Sequence, residues 1–463
     1  MSAIRDNIFL LYFFASCIIL LTAVMVKICI HKKALHGETA RKILHLVAIM
    51  TCVFVVHQTP DRIGLAWIFF AFSIVLFVIA HKNILLPSPR RSYGIALFPV
   101  SFGFLLLLPI PLNNILFAMS TLGISDAAAG MVGEHMARKK HVFLYEQKSW
   151  LGFFTFYVST FLIGYLFIGW TPVLFVLALV PALSELFSYK GSDNFTVPLV
   201  AAVWFTILKE NPVLGFNGLF FVGMMLVFTI VYYKKWLSMA GSAAAVLLGT
   251  VVIFSVGPFY LVPIALFFIT GSLTSKLHPK SADASGRNAF QVFANGLVAV
   301  LLLVVFFLTE QHLFFLASLV SVAISLADTL SSDTGVYFKQ KTYDITTFRP
   351  IKVGLSGGVS LAGTLFGTAG SFVFAVLVGL IFHLELKEMM WIGLAGTAGM
   401  VVDSILGSLF QAKYIKNNDI SEEKTTNATL IRGFSWLNND GVNLLANVLV
   451  VGFFIWMTQM SGI

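Results

Sequence analysis

Two short stretches place acids where the neighbouring chain has none. SDAAAGMVGE, Ser125 to Glu134, follows an uncharged run that begins at Ile115, and it holds Asp126 near its start and Glu134 at its end. SLADTLSSDTG, Ser325 to Gly335, also follows an apolar run and holds Asp328 and Asp333. An ionised carboxylate in apolar surroundings is costly unless it is paired or bound to a metal. Asp126 therefore reads as a functional group, the rival being a packing acid paired with Lys148 or Arg91. The Asp126 to Gly133 spacing equals the Asp328 to Gly335 spacing, a weak sign of duplication.

Other polar groups of the first half lie at the ends of apolar runs. In HGETARKILH, residues 36–45, Glu38, Arg41, Lys42 and His45 recur at three- and four-residue offsets and share one helix face. That face serves either a site or an interfacial snorkelling cluster. RRSYG, residues 90–94, offers Arg90 and Arg91 at a helix start, which suits a phosphate clamp or a positively charged flank. KSWLG carries Lys148, Ser149 and Gly152; Glu185 ends an apolar run; KGSDNFTVP supplies Asp193 and Asn194. Asp193 and Asn194 are oxygen ligands of the kind Mg²⁺ accepts, or else an Asx-type turn.

The second half repeats the theme. In GRNAFQVFANG, Arg287, Gln291 and Asn295 fall at four-residue steps, as on one helical stripe. KVGLSGGVSLAGT brings Gly354, Gly357 and Gly358 together with Ser356, near Lys339, Lys341 and Lys352. Such a turn is either a nest of N–H groups for phosphate oxygens or a tight helix contact. MVVDSILGSLFQ holds Asp403, and SWLNNDGVN holds Asn439, Asp440 and Asn443. Acids, amides, arginines, lysines and glycines at helix ends match phosphoryl or nucleotidyl transfer, where carboxylates hold Mg²⁺ and cations balance charge on phosphorus. The sequence has no G-x-x-x-x-G-K-[ST], G-x-G-x-x-G or H-E-x-x-H, so soluble kinase architectures are not supported.

The elements that must position these groups are transmembrane helices. Of 463 residues 58% are hydrophobic and only 11% charged, with 46 phenylalanines; the mean hydropathy is +0.91. Apolar runs recur throughout, which predicts an all-α polytopic membrane protein of about 14 to 16 spans. The first run, near 8–30, reads as a retained helix rather than a signal peptide. The net charge of +9 sits largely in Arg41-Lys42, Arg90-Arg91, Arg138-Lys139-Lys140 and Lys234-Lys235. That pattern fits cytoplasmic loop ends in a lipid bilayer and not a nucleic-acid surface. Cys17, Cys29 and Cys52 have no metal spacing. The polar segments His135–Ser149, Lys276–Asn288 and Lys413–Arg432 are too short for soluble domains, so chemistry falls at the membrane face. The polar clusters suggest two membrane domains, 1–205 and 235–463, joined by a span and linker at 206–234.

With these motifs the first half, roughly 35–200, resembles the phytol kinase and dolichol kinase family. The resemblance rests on E-x-x-R-K-x-x-H from Glu38, RRSYG, SDAAAGMVGE, KSWLG and SELFSYKGSDNFTVP. It implies nucleotide contacts at Asp126, Gly133, Lys148, Ser149 and Gly152, with CTP the usual donor. Glu134 stands where that family commonly has a basic residue, which leaves the nucleotide open. The second half, roughly 235–460, resembles a membrane family of phytyl-phosphate kinase through GRNAFQVFANG, LADTLSSDTG, GLSGGVSLAGT, VVDSILGSLFQ and WLNNDGVN.

The resemblance implies a bifunctional isoprenoid kinase that converts a prenyl alcohol, phytol or geranylgeraniol, first to its monophosphate and then to its diphosphate. The partners are an isoprenoid lipid and CTP or another nucleoside triphosphate with Mg²⁺. In the first domain Asp126, Asp193 and Asn194 hold metal, while Lys148 and Arg91 contact phosphate; Glu134, Glu185 and His45 are the available bases. In the second, Asp328, Asp333 and Asp403 hold metal. Arg287 and Lys339 steady phosphates, Gly354, Gly357 and Gly358 cradle the triphosphate, and Asp440 with its two asparagines orients the acceptor. The expected setting is a prokaryotic cell membrane with both sites facing the cytoplasm. Rival readings are a cytidylyltransferase acting on a lipid phosphate and a secondary transporter.

Overall fold

The computed structural model describes residues 2–33, 37–81, 94–137, 139–143, 146–189, 191–210, 214–275, 286–416, 419–422 and 428–461. Helices dominate it, and eleven of those described are long and apolar enough to cross a bilayer. The chain is thus an integral, multi-pass membrane protein. The count falls below the 14 to 16 spans expected from apolar runs. Gly94–Leu107, Val173–Leu186, Met239–Ser255 and Pro258–Thr274 are apolar helices of only 10–17 residues. At about 1.5 Å per residue each falls short of a hydrocarbon layer about 30 Å thick. The chain divides into two compact units, Met1–Leu214 and Gly215–Ile463.

The first unit contains α1 (Ser2–His31), α2 (Gly37–Gln58), α3 (Arg62–His81), α4 (Gly94–Leu107), α5 (Leu112–Ser120), α6 (Ala127–His135), α7 (Trp150–Ile168), α8 (Val173–Leu186) and α9 (Asp193–Glu210). A π-helical turn, Thr121–Asp126, joins α5 to α6 without a break. The wider turn shifts the register of the side chains after it, a device common at functional sites. This continuous helix is the most deeply buried of the eleven candidate spans. Asn114 fastens it to α9 by donating to Thr206 Oγ1 at 2.9 Å, and the Phe117 and Phe205 rings meet at 4.7 Å. The polar segment after α6 forms a hairpin of β1 (His141–Phe143) and β2 (Glu146–Lys148). It delivers Lys148 to the start of α7.

The second unit contains α10 (Leu214–Tyr233), α11 (Met239–Ser255), α12 (Leu261–Thr274), α13 (Ala289–Thr309), α14 (His312–Tyr337), α15 (Leu361–Phe382), α16 (Leu386–Phe410) and α17 (Asn439–Ser461). Helix α14 is the axis, packed by α13, α15, α16 and α17. Its small residues set the spacing: a Cβ on Gly396 would lie 2.9 Å from the Ala323 Cβ, and one on Gly367 would lie 2.8 Å from the Ala327 carbonyl. Small residues allow this approach where lipid supplies no hydrophobic drive between helices. Strands β3 (Thr342–Asp344), β4 (Pro350–Ile351) and β5 (Gly358–Val359) form one small antiparallel sheet. Strands β6 (Lys413–Lys416), β7 (Asp419–Ser421) and β8 (Thr429–Arg432) form another.

Gly357 fixes the first of these sheets to α16. Its φ is +80°, and a Cβ there would lie 2.4 Å from the Ser408 Cβ. Gly357→Ala is expected to cost about 1–3 kcal/mol through backbone strain and overlap. The thermal midpoint of the detergent-purified protein reads this loss. Gly223→Ala, where the added methyl meets nothing within 4 Å, should leave the midpoint unchanged or raise it.

Candidate active site

Three carboxylates converge in the first unit. Asp126 ends the π turn, Glu185 lies in the last turn of α8 and Asp193 opens α9; one oxygen from each lies within 4.8 Å of the others. Asp126 and Glu185 are buried, at 4% and 8% exposure. Like charges this close need counter-charges. Lys42 of α2 supplies one, its Nζ donating to the two Asp126 carboxylate oxygens at 2.8 and 2.9 Å. Gly130 makes room for it, since a Cβ there would lie 2.4 Å from Lys42 Cε. Lys148 supplies the other, ion-paired to Glu185 and donating to Ser188 Oγ at 2.9 Å. Burial opposes the Lys148 charge, but Glu185 and Asp193 outweigh it and hold the ammonium above the usual lysine range. With all five groups ionised, two ammoniums against three carboxylates leave one negative charge for a cation. His45, a turn beyond Lys42, places Nε2 3.7 Å from Asp126 Oδ2 with no hydrogen-bond partner.

The hydrogen-bonded partner of Asp126 is Lys42, while Lys148 pairs with Glu185. Arg91 lies outside the described residues. Asn194 is buried with Oδ1 unpartnered, and its backbone N–H donates to Asp193 Oδ1 at 2.9 Å. Glu134 is exposed. Ser149 caps α7, accepting from the Gly152 N–H at 3.0 Å. A Cβ on Gly133 would lie 3.1 Å from Ser149 Oγ and 3.4 Å from the Gly152 Cα. Helices α6 and α7 thus cross backbone to backbone at these glycines, so the pattern that suggests nucleotide contact also serves helix packing.

The acids of the second unit lean on neutral donors. Thr274 and Ser275 hydroxyls donate to Asp333 Oδ2 at 2.9 and 3.1 Å, and Arg287 donates to Ser275 Oγ at 3.2 Å. Asn443, with its amide turned to satisfy its neighbours, donates to Asp403 Oδ2 at 3.0 Å and to the Asn439 carbonyl at 2.9 Å. Asp328 lies within electrostatic reach of both Asp333 and Asp403. Among the described residues, however, these acids form no trio as tight as that of the first unit. Asp440 is half-buried in the first turn of α17, and Lys339 is exposed just past α14.

Of the stripe expected for Arg287, Gln291 and Asn295, the last two lie on α13 and Arg287 does not. Arg287 precedes α13, Asn288 and Gln291 form its capping box, and Asn295 Nδ2 donates back to the Gln291 carbonyl at 2.8 Å. Gly354 is exposed with φ +88°, and Gly358 pairs with Asp344 across the small sheet.

Asp344 is a group that no sequence motif announces. Burial alone would raise its carboxyl, but donors from Thr346, Ser408 and Thr347 more than reverse this and hold it well below the usual carboxylate range. Thr346 Oγ1 donates at 2.7 Å and Arg432 lies 3.5 Å away. Asp344 thereby ties the β3–β4 turn to α16 and β8.

The fold and these polar clusters define a helical membrane protein with acids held inside its bundles. Residues 222–451 match the family described as integral membrane protein DUF92. The chain is 30% identical over 255 residues to protein PGR of Arabidopsis thaliana, a match covering 47% of this chain and 88% of that protein. It is 30% identical over 222 residues to the chloroplastic protein VTE6 of the same plant, covering 45% and 61%. A further relative is the phytol kinase of Synechocystis, 30% identical over 183 residues and covering 36% and 78%. No solved structure matches the chain. Through residues 222–451 the chain belongs to the DUF92 family of integral membrane proteins.

Removing one partner of a buried ion pair strands the other, at about 3–5 kcal/mol. Lys42→Met should therefore lower the thermal midpoint sharply, while the Lys42→Met, Asp126→Asn double variant should recover part of the loss. A double-mutant cycle on unfolding in detergent measures the coupling.

Proposed function

We propose that the chain is a membrane isoprenoid kinase working in two steps. The first unit phosphorylates a prenyl alcohol such as phytol or geranylgeraniol, and the second adds another phosphate to give the diphosphate. CTP or another nucleoside triphosphate is the donor, arriving from the cytoplasm. The observation that carries this reading is the convergence of Asp126, Glu185 and Asp193 beside Lys42 and Lys148. Its donor set suits Mg²⁺: three carboxylate oxygens, with the unpartnered Asn194 amide oxygen close in sequence as a fourth hard ligand. When bound, Mg²⁺ neutralises triphosphate oxygens and makes the terminal phosphorus a better electrophile.

The chain's own residues supply the rest. Lys42 and Lys148 already sit against the acids, so incoming phosphate oxygens can take their ammonium donors as the acids turn to the metal. The alcohol oxygen bonds to the γ-phosphorus, the bond from that phosphorus to the bridging oxygen breaks, and the nucleoside diphosphate leaves. The alcohol proton passes to a base or to solvent. In the second unit Asp328, Asp333 and Asp403 are assigned to metal, and Arg287 and Lys339 to phosphate. Asn439, Asp440 and Asn443 are assigned to the acceptor monophosphate. An apolar groove lined by Trp391, Leu394, Phe453 and Phe454 runs along α16 and α17, the helices that carry Asp403 and Asn443. It offers surface for a prenyl chain. The similarity of part of the chain to a phytol kinase supports an isoprenoid alcohol as the acceptor.

Transfer of label from γ-labelled CTP or ATP to geranylgeraniol or phytol, in reconstituted protein with Mg²⁺, tests this reading. Wild type should label both the monophosphate and the diphosphate. Asp126→Ala should abolish the first step. Asp328→Ala should stop at the monophosphate. Release of pyrophosphate instead of nucleoside diphosphate, or no label in any prenyl product, contradicts the proposal.

A further inference from the structure

We propose that Ser356, Gln411 and Lys413 form a phosphate cradle in the second unit, occupied in this structure by the Glu422 carboxylate, which yields the place to a phosphorylated ligand. The inference deepens the kinase reading of that unit and rests on it for the identity of the ligand.

Glu422 meets only donors. The Ser356 N–H donates to its Oε1 at 2.5 Å. Ser356 Oγ and Gln411 Nε2 donate to its Oε2 at 3.1 and 2.7 Å. Lys413 attracts it electrostatically while donating from Nζ to the Ser356 carbonyl at 2.7 Å. A backbone N–H, a hydroxyl, an amide and an ammonium are the groups that bind phosphate oxygens. The surroundings are built and dry: Gln411 and Lys413 are 1% and 6% exposed. The loop is set by two left-handed glycines, Gly354 and Gly357, on either side of Ser356, and Gly357 is pinned against Ser408.

The occupant fits the cradle less well than the cradle fits an anion. Burial pushes the Glu422 carboxyl above its usual range even with these donors around it. Among the described residues the other acid close to Lys413 is Asp344, and its oxygens are committed to Thr346, Thr347, Ser408 and Arg432. Glu422 directly follows β7, which pairs with β6 on one side only and so can part from it more readily than α16 or the glycine loop can move. The cradle also borders the acids assigned to metal. Ser356 Oγ lies 3.4 Å from Asn439 Oδ1, and the Asn439 carbonyl accepts from Asn443, the partner of Asp403. A terminal phosphate in the cradle would lie beside them.

The test is calorimetric binding of inorganic pyrophosphate, without metal, to the full chain in detergent. Glu422→Gln removes the competing charge and should tighten binding by roughly tenfold, about 1.4 kcal/mol. Adding Lys413→Met should abolish the gain. Affinity for Glu422→Gln at or below wild type, or a gain that survives Lys413→Met, overturns the proposal. Hydrogen exchange on the wild type reads the same step if the variant folds poorly. Pyrophosphate should slow exchange at the Ser356 amide and speed it in Asp419–Ser421; slowing at both, or no change, overturns the proposal. Tighter binding without any prenyl-phosphate turnover keeps the cradle and removes the kinase reading. Turnover without tighter binding does the reverse.

Discussion

A carboxylate inside a helical membrane bundle must find a partner, and the first unit is organised around that requirement. Asp126 is met by the Lys42 ammonium from α2, two short contacts on one carboxylate. The pair needs Gly130 to clear space, the π turn to place the acid, and α2 to turn Lys42 toward it. A second ammonium, delivered by a hairpin, does the same for Glu185. Such pairs add little net stability when intact and cost much when halved.

The second unit meets the same requirement with different chemistry. Asp333 takes hydroxyls, Asp403 takes an amide, and Asp344 takes hydroxyls and backbone N–H groups. Asp344 also has Arg432 3.5 Å away. Arg287 donates to Ser275, which donates to Asp333, and Lys413 donates to the Ser356 carbonyl.

Membrane class and the special standing of Asp126 were legible because both follow from the cost of burying charge, which composition and position display directly. The pairing with Lys42 was not, because the two residues lie 84 positions apart and the basic face of α2 reads equally well as a snorkelling cluster. Gly133 and Gly152 show a different limit: a nucleotide cradle and a helix crossing ask for the same small residues. Among the described residues eleven helices have full spanning length, and four shorter apolar helices account for runs that read like crossings. Gln291 and Asn295 lie on α13, but Arg287 does not, because the N-cap Asn288 follows it and the helix starts at Ala289. Asp344 and Glu422 lie in polar segments without a recognisable motif, and only the folded chain reveals the donors that surround them.

Asp126, Glu185 and Asp193 lie close enough together to hold one metal ion. Electron paramagnetic resonance of Mn²⁺, titrated into the purified protein with CTP, tests it most directly. The account predicts that Asp126→Asn, Glu185→Gln and Asp193→Asn each remove the same tightly bound ion, while Asp328→Asn leaves that ion in place. Mn²⁺ binding unchanged in all three first-unit variants would contradict it.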